Sequence, residues 1–362
     1  MAVLLLVAGW FGVRFRLAAI RAKRLERQDE LLLDAVDTMQ AALVPEVPAC
    51  LEGLGISVAY RPADGPAAGG DFYDVFVPRP GKVAIVLGDV CGHGREAVRH
   101  AALSRYTLRA YLQAGLEPRA TLRLAGKVLA DPRGFRYATV ALALYDAQSG
   151  TLTYASAGHP PPIMFGFPAR RQPAGCASPP IGWGLPTGRR QTKISVPPGG
   201  QVCFFSDGLT DARRAGELLG RERLLEILGA LGPRPAAAQL LEQVRAEAET
   251  TPDDMAACML APPEVGGGSY THVEELEVDA RALSGGRVEG FLEECQLPAA
   301  AIARALQRAR EVVAEFDTAV LTVELAPTRA ATVIPGESVT RGAALPQPQQ
   351  SAAPLLQALP AT

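Results

Sequence analysis

The sequence lacks several features that would mark other protein classes. Six cysteines are scattered through 362 residues with no C-x-x-C pair. That spacing argues against a disulfide framework or a zinc knuckle and fits a reducing compartment. Positive charge is not in excess, since 36 Lys+Arg stand against 38 Asp+Glu for a net charge of −2. A nucleic-acid binder working through an overall positive field is thereby disfavoured. No GxGxxG or P-loop pattern occurs in the central region, so nucleotide binding there has no support. Long apolar runs are also missing. Met1 to Val13 is apolar, but Arg14 and Arg16 follow at once, and about 20 residues are needed to cross a bilayer core. Extending the run through Leu17 to Ile20 would require both arginines to snorkel. No basic stretch precedes it and no small-x-small cleavage site follows, which argues against a secretory signal.

Residues 1–20 are therefore a candidate membrane anchor, with a truncated leader or a helix packed on a partner as the alternatives. The cluster Arg14, Arg16, Arg21, Lys23, Arg24 and Arg27 would hold the remainder on the cytoplasmic side. A cytoplasmic protein, tethered to the inner membrane face if the anchor inserts, is the expectation. From Leu17 to Leu43 the apolar positions Leu25, Leu32, Val36, Met39 and Leu43 recur with helical spacing, and Pro45 and Pro48 end the pattern. Residues 21–48 read as a connector helix, which would offer a homodimer contact or lie on its own domain.

Hydrophobic residues make up 48% of the chain, which is ample for a core and excludes disorder of the whole. With 30 Pro and 36 Gly the chain suits a sheet-rich fold with many turns. Residues 51–262 carry hairpins at Asp71–Val90 and Tyr137–Ser156, further strands at Gly55–Arg61, Ile163–Phe167, Gln191–Val196, Gln201–Ser206 and Met255–Leu260, and helices at Arg95–Gly115, Pro118–Ala130, Arg221–Leu231 and Pro235–Glu249. Strand pairs enclosing a helical pair predict an α+β layered sandwich, not a doubly wound sheet. The stretch 168–190 reads as a Pro-, Gly- and Arg-rich surface loop whose arginines are candidates for recognising a phosphorylated partner.

Four short segments place aspartates at strand ends: GGDFYD (Gly69–Asp74), GDVCGHG (Gly88–Gly94), SDGLTD (Ser206–Asp211) and PDDMA (Pro252–Ala256). One Asp beside Gly is usually a turn. Four at strand termini can converge on one edge of a sandwich, and clustered anions imply bound cations. Oxygen donors without paired His or Cys point to Mg²⁺ or Mn²⁺ over Zn²⁺. Cys91 has no Cys-x5-Arg signature around it and reads as a small thiol rather than a nucleophile. His93 and His159 are candidate acid–base groups, with a capping or buttressing role as the plainer reading. Gly69, Gly70, Gly88, Gly92 and Gly94 fit tight turns and close backbone approach to metals.

The order and wording of these segments, with MQAALVPEVP, YRPADGPAAGGDFYD, ATVALALYD, AGHPPP and PPGGQVCFFSDGLTDA, resemble the SpoIIE-type branch of the PPM metal-dependent serine/threonine protein phosphatases, RsbU-like regulators among them. The resemblance runs from about Met39 to about Ala261. It implies an αββα β-sandwich flanked by helices, preceded by the connector helix. It implies two Mn²⁺ or Mg²⁺ ions, with Asp89 bridging them, Val90 offering its backbone carbonyl, Asp71 on one metal, and Asp207 and Asp253 completing the other's shell. Asp254 is a weaker candidate ligand, while Asp74 and Asp211 orient or cap. Ala256 stands where the family usually keeps Thr, at the cost of a supporting hydrogen bond and no ligand. The implied reaction is hydrolysis of phosphoserine or phosphothreonine by activated water, with a STAS-type anti-anti-sigma protein of bacterial partner switching as substrate and the connector helix as the route of regulation. A non-catalytic scaffold that binds such regulators is the alternative.

Beyond a break at Gly266–Ser269, residues 270–326 read as strand, two helices and strand. They faintly resemble the first half of the anti-sigma-factor serine kinases of the GHKL superfamily. Glu315 falls near the family's Mg²⁺-binding asparagine and no glycine-rich adenine segment follows, so the expectation is a degenerate docking module without kinase activity. Residues 327–362, rich in Pro, Ala and Gln, read as a disordered tail.

Overall fold

Strands whose two faces are both covered read as continuous apolar runs, and KVAIVLGDV and ATVALALYD are such runs. The computed structural model describes residues 44–62, 69–130, 135–166, 178–197, 199–251, 253–263, 270–326 and 330–336. The candidate anchor, the connector helix up to residue 43 and the break at 264–269 lie outside these residues. In chain order the elements are β1 (Cys50–Leu51), β2 (Leu54–Arg61), β3 (Asp71–Arg79), β4 (Lys82–Val90), α1 (Arg95–Gln113), α2 (Pro118–Val128), β5 (Ala138–Asp146), β6 (Thr151–Ala157), β7 (Ile163–Phe165), β8 (Arg190–Ser195) and β9 (Gln201–Phe205). Then follow α3 (Gly208–Asp211), β10 (Arg213–Arg214), β11 (Glu217–Leu218), α4 (Gly220–Ala230), α5 (Ala237–Glu247), β12 (Met255–Ala261), β13 (His272–Asp279), α6 (Ala280–Ser284), α7 (Arg287–Glu294), α8 (Ala299–Phe316), β14 (Thr318–Ala326) and β15 (Ala330–Pro335).

Two sheets face each other. One has the order β1-β2-β12-β9-β7, the other β15-β14-β13-β8-β6-β5-β4-β3. Their inner faces meet through Ile85, Leu87, Ala141, Tyr145 and Tyr154 on one side and Leu54, Phe204, Cys258 and Leu260 on the other. On the outer face of the larger sheet, Phe72, Val86 and Leu142 pack against Leu108 and Leu122 of α1 and α2. On the outer face of the smaller sheet, Phe205, Ala257 and Met259 pack against Leu224, Ile227 and Leu240 of α4 and α5. This is the expected αββα sandwich. Each fully buried Leu, Ile or Phe contributes about 1.5–3 kcal/mol.

Residues 270–326 continue the larger sheet. β13 pairs antiparallel with β8, from His272 opposite Ile194 to Leu276 opposite Arg190. Strand β8 would otherwise present an unpaired edge. Side chains reinforce the seam. Gln191 donates to Glu275 at 2.8 Å and Glu117 at 2.6 Å, Thr192 donates to Glu274 at 2.8 Å, Lys193 pairs with Glu275 at 2.9 Å, and Arg123 pairs with Glu277. Both helices expected there are present as α7 and α8, and a short further helix, α6, follows β13 directly because the Asp279 side chain caps it at the Ala282 amide. The unit has a core of its own around Val288, Phe291, Val312 and Leu321. The tail expected to be disordered from residue 327 instead begins with β15, an edge strand that pairs Val333 with Leu321. Its AATVIP segment has the β-branched residues that suit an edge position, a signal masked by the Pro-, Ala- and Gln-rich composition around it.

Candidate metal centre

Side-chain alternation along each strand decides which residues reach the sandwich interior. On β3, Tyr73 and Val75 face inward, so Asp71 does as well, while Phe72 and Phe76 face the helices. On β4, Val83, Ile85 and Leu87 face inward, and Asp89 continues that series. Asp71 and Asp89 are direct cross-strand partners. On the opposing sheet, Val202 and Phe204 lead to Ser206, and Ala256 and Cys258 lead back to Asp254. Both sheets thus bring carboxylates to one end of the sandwich.

The carboxylates sense one another. Asp71 is 5% exposed and its Oδ2 has no hydrogen-bond partner. Burial, then the neighbouring Asp89 and Asp254, push its carboxyl well above the usual range. Burial raises Asp89 to about 7, with Asp207, Asp253 and Asp254 adding to the effect. Asp207 is raised by burial and by Asp253. Asp253 is exposed and accepts a hydrogen bond from the Asp254 amide at 2.8 Å, whereas Asp254 is 2% exposed and accepts from the Tyr60 hydroxyl at 2.7 Å. Among the described residues, no three His, Cys, Asp or Glu side chains are drawn together tightly enough to enclose an ion.

The surroundings are shaped for close approach. A Cβ on Gly69 would stand 1.6 Å from Asp254 Oδ2, and one on Gly70 would stand 2.1 Å from the Val90 carbonyl oxygen and 2.7 Å from Asp89 Oδ1. A Cβ on Gly208 would meet the Asp254 carbonyl oxygen at 1.9 Å, so the Asp207 turn lies directly on the Asp253–Asp254 turn. An unpartnered buried carboxylate oxygen, an all-oxygen donor set and a glycine cradle fit hard divalent cations.

Three supporting residues escaped the sequence reading. Ser206 accepts from the Ala256 amide at 2.9 Å and donates to the Asp254 carbonyl at 3.3 Å. Its hydroxyl thus ties the turn that follows Asp253 to the start of β12 at Ala256. Tyr60 holds Asp254, and Thr139 bonds His159. Ser206 and Tyr60 were legible only as the next inward positions on β9 and β2.

The other expected residues take structural places. Asp74 points to the helix side, where Arg109 meets both of its oxygens at 2.9 Å and Arg105 lies at 3.2 Å. Asp211 lies in the turn of α3, its amide donating to the Asp207 carbonyl at 2.7 Å. Cys91 is half-buried and His93 exposed. His159 is buried between the sheets. Its Nε2 donates to the Phe205 carbonyl at 3.1 Å, which fixes the proton on that nitrogen, so the Thr139 hydroxyl donates to Nδ1 at 3.0 Å. Both ring nitrogens are occupied by the fold, so His159 is a tie between sheets rather than an acid or base. Burial lowers its pKa to about 4. Because the folded value lies below the ordinary 6.5, its contribution to stability is complete above pH 6.5 and is lost as pH falls toward 4, by on the order of 3 kcal/mol. Melting curves across that window should show the wild type losing stability more steeply than His159→Gln. Parallel curves would contradict this assignment.

A family model described as Stage II sporulation protein E (SpoIIE) matches residues 79–262, half of the chain, and the chain belongs to that family. The match includes Asp89, Asp207 and Asp253, and Asp71 lies just ahead of it. Protein IcfG of Synechocystis sp. is 26% identical over 209 residues, which are 50% of this chain and 33% of IcfG, so the chain spans about a third of that relative's length. The RsbU and RsbW domains of Rv1364c from Mycobacterium tuberculosis are 22% identical, with a TM-score of 0.52 over 80% of this chain and 84% of that one. The SiaA-PP2C domain of Pseudomonas aeruginosa is 19% identical, with a TM-score of 0.55 over 66% of this chain and 98% of the domain. The PP2C phosphatase domain of SpoIIE from Bacillus subtilis, solved with a fragment of its regulatory domain, is 18% identical, with a TM-score of 0.50 over 57% and 63%. The fold is that of PP2C-type phosphatase domains.

Proposed function

We propose that the chain is a metal-dependent protein serine/threonine phosphatase acting on a phosphorylated regulatory protein of the STAS-type anti-anti-sigma class. The observation that carries this reading is the convergence of Asp71 and Asp89 from one sheet with Asp207 and the Asp253–Asp254 turn from the other, at one end of the sandwich. Asp71, Asp89, Asp207, Asp253 and the Val90 carbonyl are the groups that would hold two Mn²⁺ or Mg²⁺ ions. Such ions, when bound, supply positive charge to a phosphoryl group and lower the pKa of water. The protein's part is placement. The β3–β4 pairing fixes Asp71 against Asp89, Tyr60 and Ser206 hold the Asp254 turn, and the glycines leave space for approach. Rotation of exposed Asp253 and half-buried Asp207 toward Asp89 would complete the donor set. Neither Cys91 nor His159 is needed as a nucleophile or base.

A substrate from partner switching is supported by the similarity of fold to a chain that carries RsbU and RsbW domains together. The test is phosphate release from a serine-phosphorylated anti-anti-sigma protein. Turnover is expected with Mn²⁺ and should vanish in EDTA. Turnover that survives EDTA, or none with any divalent ion and any such substrate, would overturn the reading.

A further inference from the structure

A cavity of about 280 Å³ lies where the surface loop meets the C-terminal unit, lined on one side by Ser178, Arg189 and Arg190 and on the other by Asp279, Arg281 and Arg287. Four guanidiniums against one carboxylate leave an excess of positive charge in a confined space. The carboxylate is already committed. Asp279 Oδ1 accepts from the Ala282 amide at 2.7 Å, and its Oδ2 pairs with Arg189 at 2.7 Å. Arg190 is held by Glu294 at 2.9 Å and by the Phe291 ring. Among the described residues Arg281 and Arg287 make no ion pair within 4.0 Å, although Arg287 is near enough to Asp279 to help hold its carboxyl below the usual range. An independent feature sits on the opposite wall. Ser178 is 6% exposed, and its hydroxyl has no hydrogen-bond partner.

Planar guanidiniums match the oxygens of phosphate, and the buried Ser178 hydroxyl would add a neutral donor on turning toward the cavity. The ligand that answers two arginines without a close ion pair is a dianion, and a phosphate group carries about −1.5 to −2 charge at pH 7. We infer that this cavity binds a phosphate group, either inorganic phosphate or the phosphoryl group of a phosphoserine side chain. The site is separate from the aspartate centre and does not depend on the phosphatase reading. It adjoins that centre through the backbone. The Gly158 amide donates to the Ser178 carbonyl at 2.8 Å, and Ile181 pairs with Ala138, the cross-strand partner of Val90.

The test is calorimetry on the full chain in EDTA, where the aspartate centre repels anions. Three titrants are compared: inorganic phosphate, a phosphoserine peptide and the same peptide unphosphorylated. Saturable binding of phosphate or of the phosphopeptide is expected, weakened about tenfold or more in Arg281→Gln/Arg287→Gln. Equal affinities would assign the site to the free anion, and tighter binding of the phosphopeptide would assign it to the side chain. Melting temperature checks the fold of the double variant, and exposed Arg287→Gln alone serves if the double variant is unstable. No saturable binding in EDTA, equal binding of the unphosphorylated peptide, or affinities unchanged by the substitutions would overturn the inference.

Discussion

Asp89→Asn and Asp207→Asn should each lower Mn²⁺-dependent phosphate release by about 100-fold or more. Loss of one ligand from a metal centre removes several kcal/mol of charge stabilisation, and each 1.36 kcal/mol is tenfold in rate. Misfolding would lower the rate too, so the prediction carries a second readout. Asp89 is raised to about 7 by burial and by the carboxylates around it. Without metal, removing its charge relieves repulsion, so Asp89→Asn should melt at the wild-type temperature or above in EDTA. With Mn²⁺ the order should reverse, because only the wild type gains from binding. A variant that melts lower than wild type in EDTA and equally in Mn²⁺ would show that Asp89 serves the fold alone.

The second large effect lies on the outer face of β3, the strand paired with the one that carries Asp89. Asp74→Asn should destabilise the protein by about 3–5 kcal/mol, the usual consequence of removing one partner from a buried ion pair. Asp74 is buried, and it is the shared acceptor for Arg105 and Arg109 of α1. Arg109 also lies over the Phe76 ring at 4.1 Å. The neutral amide would leave both guanidiniums on the sheet without that anion. Urea unfolding measures the loss directly. A change below about 1 kcal/mol, the size typical of exposed pairs, would show that the contact is idle.

The contrast between Asp71 and Asp74 shows what was legible in the sequence. Both belong to GGDFYD, and strand alternation alone puts them on opposite faces. Knowing which face is the sandwich interior requires the second sheet, which is assembled from segments as near as β2 and as distant as β12. The sandwich itself was readable because KVAIVLGDV and ATVALALYD are apolar on both faces. The order of the sheets was not, since β12 pairs with both β2 and β9. Within PDDMA, the resemblance singles out Asp253, while packing buries Asp254 against Tyr60, a contact made across 194 positions of chain. Nor does local pattern reveal that β13 docks on β8. The glutamates of HVEELEVD resemble a solvated face until Gln191, Thr192 and Lys193 are placed beside them.

Titration of the metal-free protein with Mn²⁺ by calorimetry tests the central claim most directly. Two ions should bind per chain, and Asp89→Asn should weaken both because its carboxylate is the one proposed to be shared between them. Absence of binding, or binding that is the same in Asp71→Asn, Asp89→Asn and Asp207→Asn as in the wild type, would contradict a shared metal centre at this end of the sandwich.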